Sequence, residues 1–212
     1  MFIYIFFFVY DKIIIGDRMK KVLIATTNRD KFKIVSYIFQ ETIFPKSEYE
    51  IVTFTDKMKV PEVEEEGTNK ERARKKALTA YNYLEDYHFD YIVGLDDAVY
   101  LNGIIDYNVK KVMCKILFQD YLKDGEEYGF NRAYCIIDKN GKEYEFSIDT
   151  PYIYHKLKGD YKIEEHTYPL SKVSYPLNSD KPICDLTEEE SNRYYLDYAL
   201  PPINRFLEKK YW

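Results

Sequence analysis

The chain has 212 residues, 46% of them hydrophobic and 32% charged, with a net charge of −5. That length accommodates one domain, or one domain with a second lobe, and is enough to bury a sizeable core. The balance excludes a disordered chain and gives no basic surplus of the kind that drives non-specific nucleic-acid binding, although a local phosphate site needs only a few placed cations.

The chain opens on an apolar run, FIYIFFFV at 2–9. It is too short and interrupted for a membrane-spanning helix, and it lacks the basic start and small-residue cleavage site of a signal peptide. Residues 1–18 therefore read as an N-terminal extension, compatible with a misassigned start, ahead of a domain over 19–212. A segment that packs or touches a membrane is the alternative. Lys21–Ala25 (KVLIA) has the pattern of a strand buried on both faces. Thr26-Thr27-Asn28 can then cap a helix carrying Phe32, Val35, Ile38 and Phe39 on one face. Glu50–Phe54 is a second strand. Thr68 and Glu71 form a capping box ahead of a helix whose apolar face is Ala73, Ala77, Tyr81 and Leu84. Tyr91–Leu95 is a third strand, ending at Asp96-Asp97. Residues 104–121 read as a helix with Val109, Val112, Met113, Ile116 and Leu117 inward. Arg132–Asp138 and Lys142–Ile148 form a hairpin turned at Asn140-Gly141. Thr187–Glu190 caps a further helix, which Pro201-Pro202 is expected to break before a last helix to about Lys209. Strands alternating with helices, then a hairpin, predict an α/β fold: an elongated mixed sheet with flanking helices and a second lobe.

Cys114, Cys135 and Cys184 form no CxxC and suit neither zinc nor a disulfide framework, which fits a reducing, cytoplasmic setting. The three histidines are scattered. The 23 tyrosines read as compositional drift, with a tyrosine-lined binding surface as the alternative.

Three constellations carry chemistry. Thr26, Thr27, Asn28 and Lys31 stand where a strand turns into a helix, a natural cradle for phosphates; the plain alternative is a helix cap with a solvated lysine. Glu62, Glu64, Glu65 and Glu66 precede Gly67 and a basic helix with Lys75 and Lys76. Such carboxylates repel one another unless a cation sits among them, and Mg²⁺ takes carboxylate and phosphate oxygens; a solvated acidic loop is the alternative. Asp96 and Asp97 follow an apolar strand, where ligands bind in open α/β sheets. Adjacent residues of extended chain point opposite ways, so one Asp can hold metal or water while the other braces structure. A turn-forming pair is the alternative.

In order and spacing, these runs resemble the inosine triphosphate pyrophosphatase family. ATTNRDK at 25–31 is similar to the family's ATGNxGK. Glu65, Gly67, Thr68, Glu71, Ala73, Lys76 and Ala77 are similar to EExGxTxxENAxxKA, with one residue missing near Gly67. Leu95-Asp96-Asp97 resembles ADDSG, and 185–189 faintly resembles ELTxEEK. The resemblance covers about residues 19–104 well. It implies a two-lobed α/β fold, a homodimer, and Mg²⁺-dependent hydrolysis of ITP, dITP or XTP to monophosphate and pyrophosphate, with no role for nucleic acid or membrane. By motif, Thr26, Asn28, Lys31 and Lys76 would hold the triphosphate, with Thr27 beside them. Glu65 would bind Mg²⁺, Glu66 being open because of the gap, and Asp97 would join it as ligand. Asp97 would also orient or deprotonate the attacking water beside Asp96.

The departures are equally specific. Ala98-Val99 stands for Ser-Gly, and Arg72 for the motif's Asn. The base-approaching FGYDP loop has no counterpart. Tyr194-Tyr195-Leu196 takes the place of Ser-His-Arg, which contacts base and phosphates. Lys172 is the favoured replacement cation, ahead of Arg193. Loss of that half makes a catalytically silent relative, binding nucleotide or a protein partner, the alternative to an enzyme of shifted base preference.

Overall fold

The computed structural model describes residues 18–63, 66–157 and 169–209. Residues 1–17, nearly all of the N-terminal extension, lie outside them, as do Glu64 and Glu65. Strand β1 (Lys20–Ile24) leads into helix α1 (Arg29–Gln40), then β2 (Tyr49–Thr53), α2 (Asn69–Tyr83) and β3 (Tyr91–Leu101). A short β4 (Ile104–Asp106), α3 (Val109–Phe118), β5 (Glu127–Asp138), β6 (Glu143–Tyr154), β7 (Ser174–Tyr175) and α4 (Glu188–Glu208) follow. The strands form one sheet in the order β2-β1-β3-β5-β6-β7, with β4 paired to β3. β1 runs parallel to β2 and β3; the pairs β3–β5, β5–β6 and β6–β7 are antiparallel. This is the mixed α/β sheet that the sequence predicts. Among the described residues no helix is long and apolar enough to cross a membrane.

Alternation along the strands sorts the helices onto two faces. Val22, Ile24, Val93, Leu95, Tyr134 and Ile136 pack with Val35, Ile38 and Phe39 of α1 and Ala199 and Ile203 of α4. Leu23, Ile92, Cys135 and Ile137 face α2 through Ala77 and Ala80. Gly94 sets how close α2 comes: a Cβ there would meet the Ala73 carbonyl oxygen at 2.1 Å and the Ala77 nitrogen at 2.5 Å. A second core, with Val99, Val112, Ile116, Tyr128, Tyr152 and Leu170, lies farther along the same long strands.

Four expectations change. β3 does not end at Asp96-Asp97 but runs through the pair to Leu101, because β5 pairs with its whole length. The helix expected over 104–121 begins at Val109: Asn102 and Gly103 both have positive φ, the signature of a tight hairpin turn, and they fold 104–106 back as β4. Asn108 then caps α3 by accepting from the Lys111 backbone N–H. The hairpin around Asn140-Gly141 is longer than expected at its open end, away from the turn, in register from Glu127–Ile153 to Ile137–Glu143. Pro201 and Pro202 do not break α4. Their fixed φ is compatible with a helix; each removes a hydrogen bond and crowds the carbonyl four residues back, and buried Ala199 and Ile203 anchor the helix on either side against that cost.

Candidate active site

The parallel pairing of β1 with β3 stops at Val93, while β3 continues. The Asp pair therefore lies just beyond the end of β1, beside the turn into α1 and between the two cores. Asp96 and Asp97 are both 7% exposed. As the alternation requires, they reach different helices: Asp96 meets Arg72 and Lys76 of α2, and Asp97 meets Lys31 of α1.

Asp97 is gripped on both oxygens. Arg132 donates from Nε to Oδ1 at 2.6 Å and from Nη2 to Oδ2 at 3.1 Å, and Lys31 Nζ is 2.9 Å from Oδ2. Burial disfavours the charge, but the attractions of Arg132 and then Lys31 outweigh it, so the carboxyl titrates well below its ordinary range. Burial likewise opposes the charge of Arg132, and Asp97 more than restores it. At an effective dielectric near 20, an ion pair at about 3 Å is worth roughly 6 kcal/mol, comparable with the desolvation of an ion. Two such partners keep Asp97 charged.

Asp96 Oδ1 accepts the Asp97 backbone N–H at 2.9 Å and faces Lys76 Nζ at 3.4 Å. Its Oδ2 is 2.7 Å from Nε of Arg72, a charge contact not aligned as a hydrogen bond. Neither of those buried atoms has a hydrogen-bond partner among the described residues. Arg72, 5% exposed, also donates through Nη2 to the carbonyls of Asp97 at 3.2 Å and Tyr107 at 2.9 Å. The capping box of Thr68 and Glu71 fixes the first turn of α2 and so aims Arg72 and Lys76.

A cavity of about 300 Å³ opens here. Lys31, Arg72, Asp96 and Asp97 line it, with Gly67 on one side and residues 107–110 on the other. Asn28 caps α1, its Oδ1 accepting the N–H groups of Asp30 and Lys31 at 3.0 Å each. Thr26 braces the turn, its Oγ1 accepting the Asn28 N–H at 3.2 Å, and Thr27 is exposed. Lys172 does not line the cavity; it lies near Cys184, in the segment leading to β7. Glu65 lies outside the described residues. No motif or spacing marks Arg132 as a site residue, and Arg72 stands out in the sequence only as a departure from the motif. Arg132 shares a strand face with Tyr134 and Ile136, and a cation on a core face is a signal that a buried carboxylate stands opposite.

As arranged, the pair does not fit as a set of Mg²⁺ ligands. Both oxygens of Asp97 are held by cations, and both of Asp96 face cations. Among the described residues, the group of His, Cys, Asp or Glu side chains close enough to share an ion is Cys135, Glu143 and Glu145. It sits elsewhere, on β5 and β6. Arg74 already pairs with Glu143 at 2.5 Å, and burial pushes the Cys135 thiol up to about 12.

Tyr195 of α4 stands within the electrostatic reach of Arg132 and Asp97, and burial raises its hydroxyl. It accepts from the Tyr152 hydroxyl at 3.2 Å, while Tyr194 rests on the Tyr152 and Tyr198 rings and donates to the Pro151 carbonyl.

No protein-family model and no curated protein matches the sequence. Solved structures do match. A HAM1 protein from Coxiella burnetii aligns with a TM-score of 0.57 at 16% identity, over 91% of this chain and 100% of its own. A nucleoside-triphosphatase, a dITP/XTP pyrophosphatase, from Mycobacterium abscessus gives 0.54 at 18%, over 87% and 100%. The fold is that of the Ham1 proteins. The Ham1 protein of Staphylococcus aureus agrees, with 0.53 at 16% over 90% of this chain and 99% of its own. The Ham1 likeness extends past Leu101 into the hairpin and α4, where the motif resemblance is faint.

Proposed function

We propose that the chain hydrolyses nucleoside triphosphates between the α and β phosphates, releasing a monophosphate and pyrophosphate. The substrate class is the non-canonical purine nucleotides, with a shifted base preference. The observation that carries this reading is the convergence of Lys31, Arg72 and the buried Asp96-Asp97 pair on one cavity in a Ham1 fold. The Ham1 folds include a dITP/XTP pyrophosphatase.

In this reading the triphosphate lies along Lys31 and Arg72, with Lys76 and Arg132 adding positive potential from behind the aspartates. Asp97, held as a carboxylate, orients the attacking water by accepting its hydrogen bond. Its depressed proton affinity makes it an orienting group rather than a proton store. Water adds to the α-phosphorus in line, the bond to the bridging oxygen breaks, pyrophosphate leaves with its electron pair, and the proton passes to solvent. The cations stabilise the charge that develops on the leaving group. Mg²⁺ accompanying the triphosphate would be held by Glu65 rather than by Asp97, and would supply further stabilisation of the charge on the phosphates. By spacing, Tyr194 and Tyr195 take the place of base-reading residues in the resembling family, and their hydroxyls are tied into an aromatic cluster; this supports a changed base preference. The same reading makes the chain a homodimer, which light scattering would test.

A second reading, a silent relative that binds nucleotide, is favoured by one observation: Asp97 has no oxygen free of a cation. Asp97→Asn separates the two. The enzyme reading expects turnover to fall at least about 100-fold. Nucleotide binding with no turnover in the wild type would establish the silent relative.

A further inference from the structure

Among the described residues, four cationic side chains (Lys31, Arg72, Lys76 and Arg132) surround two carboxylates, a surplus of two positive charges. A site that awaits a divalent cation has the opposite balance, with carboxylate oxygens turned toward open space. Here the atom facing Asp96 Oδ2 is a nitrogen of Arg72, and Arg72 lies at the position where the resembling motif has a neutral Asn. The guanidinium is built in: it is buried, it bridges β3 to the turn before α3 through the carbonyls of Asp97 and Tyr107, and it lines the cavity. A guanidinium offers five N–H donors in a fixed fork suited to phosphate. Among the described residues its Nη1 group makes no hydrogen bond. Across the cavity, Val109 and Lys110 begin α3, whose N-terminal end favours negative charge.

We propose that Arg72 stands in for a divalent cation at the aspartate pair, so that this cavity binds the polyphosphate of its ligand without metal. This rests on the nucleotide reading above and deepens it: metal is not required for recognition. Arg72 neutralises Asp96, removes the repulsion that an arriving phosphate would meet, and donates to it directly.

The test is calorimetric titration of the full chain with inorganic triphosphate, once in EDTA and once in Mg²⁺. The expected result is binding in EDTA within about threefold of the Mg²⁺ value. Arg72→Asn is expected to weaken binding in EDTA by about tenfold or more, the loss of one charge-assisted hydrogen bond. If circular dichroism shows that Arg72→Asn does not fold, Lys31→Met, a partly exposed cation of the same cavity, takes its place with the same expected direction. Binding that needs Mg²⁺ overturns the proposal, as does unchanged affinity in both variants. The two readings fail separately. Binding only in Mg²⁺, with nucleotide turnover, overturns this inference and keeps the enzyme. Binding in EDTA with no turnover of any nucleotide keeps the inference and overturns the enzyme. Binding under neither condition overturns this inference, and overturns the enzyme as well if no nucleotide is turned over.

Discussion

Asp97 on β3 and Arg132 on β5 are direct register partners, and the guanidinium grips the carboxylate through both oxygens, at 2.6 and 3.1 Å. The pair lies where the sheet passes from one hydrophobic core to the other. It explains how β3 continues through two consecutive aspartates without breaking: the cation that neutralises one of them arrives on the neighbouring strand.

Removing that cation should be costly. Arg132→Met leaves a buried carboxylate with Lys31 alone. Breaking a buried pair from one side costs about 3 kcal/mol, a fall in Tm of about 6–12 °C for a chain of this size. Thermal unfolding at neutral pH checks it; an unchanged Tm would show that the pair contributes nothing net.

The depressed titration of Asp97 sets a direction in pH. Its folded value lies below the unfolded one of about 3.9, so the stability it contributes is fully present above that value and is lost as pH falls below it. Asp97→Asn has no such group. The Tm difference between wild type and Asp97→Asn should be constant from pH 7 to about pH 5 and narrow as pH falls through about 4. A gap that instead changes between pH 6 and 8 would mean that Asp97 titrates near neutrality, contrary to the ion pairs described.

Gly94 tests the position of α2. Its Cβ would press on the backbone of Ala73 and Ala77, which cannot yield as a flexible side chain would. Gly94→Ala should cost about 3 kcal/mol by overpacking and move Arg72 and Lys76 away from Asp96. Measured by thermal melt and triphosphate titration, stability and affinity should fall together. A well-folded variant with wild-type affinity would contradict the close packing.

The local elements were legible where caps and periodicity spoke plainly. Thr68-Glu71 and Thr187-Glu190 are capping boxes in the structure, and the buried face of α1 is Val35, Ile38 and Phe39. Strand pairing was less legible, because register is a tertiary property. Nothing local announces that Arg132 stands opposite Asp97, and only the cation's place on an apolar strand face hints at it. Arg72 was visible as a departure from a motif, but its role depends on how closely Gly94 lets α2 approach. Asn102-Gly103 did carry a hairpin signal, overshadowed by the helical spacing that follows it.

The most direct measurement is pyrophosphate release from a panel of NTPs and dNTPs, including ITP and XTP, with and without Mg²⁺, comparing wild type with Asp97→Asn. Release from one or a few substrates is expected in the wild type, with a loss of at least about 100-fold in the variant. Silence across the whole panel from a correctly folded protein, or turnover that Asp97→Asn leaves unchanged, would contradict the enzyme reading.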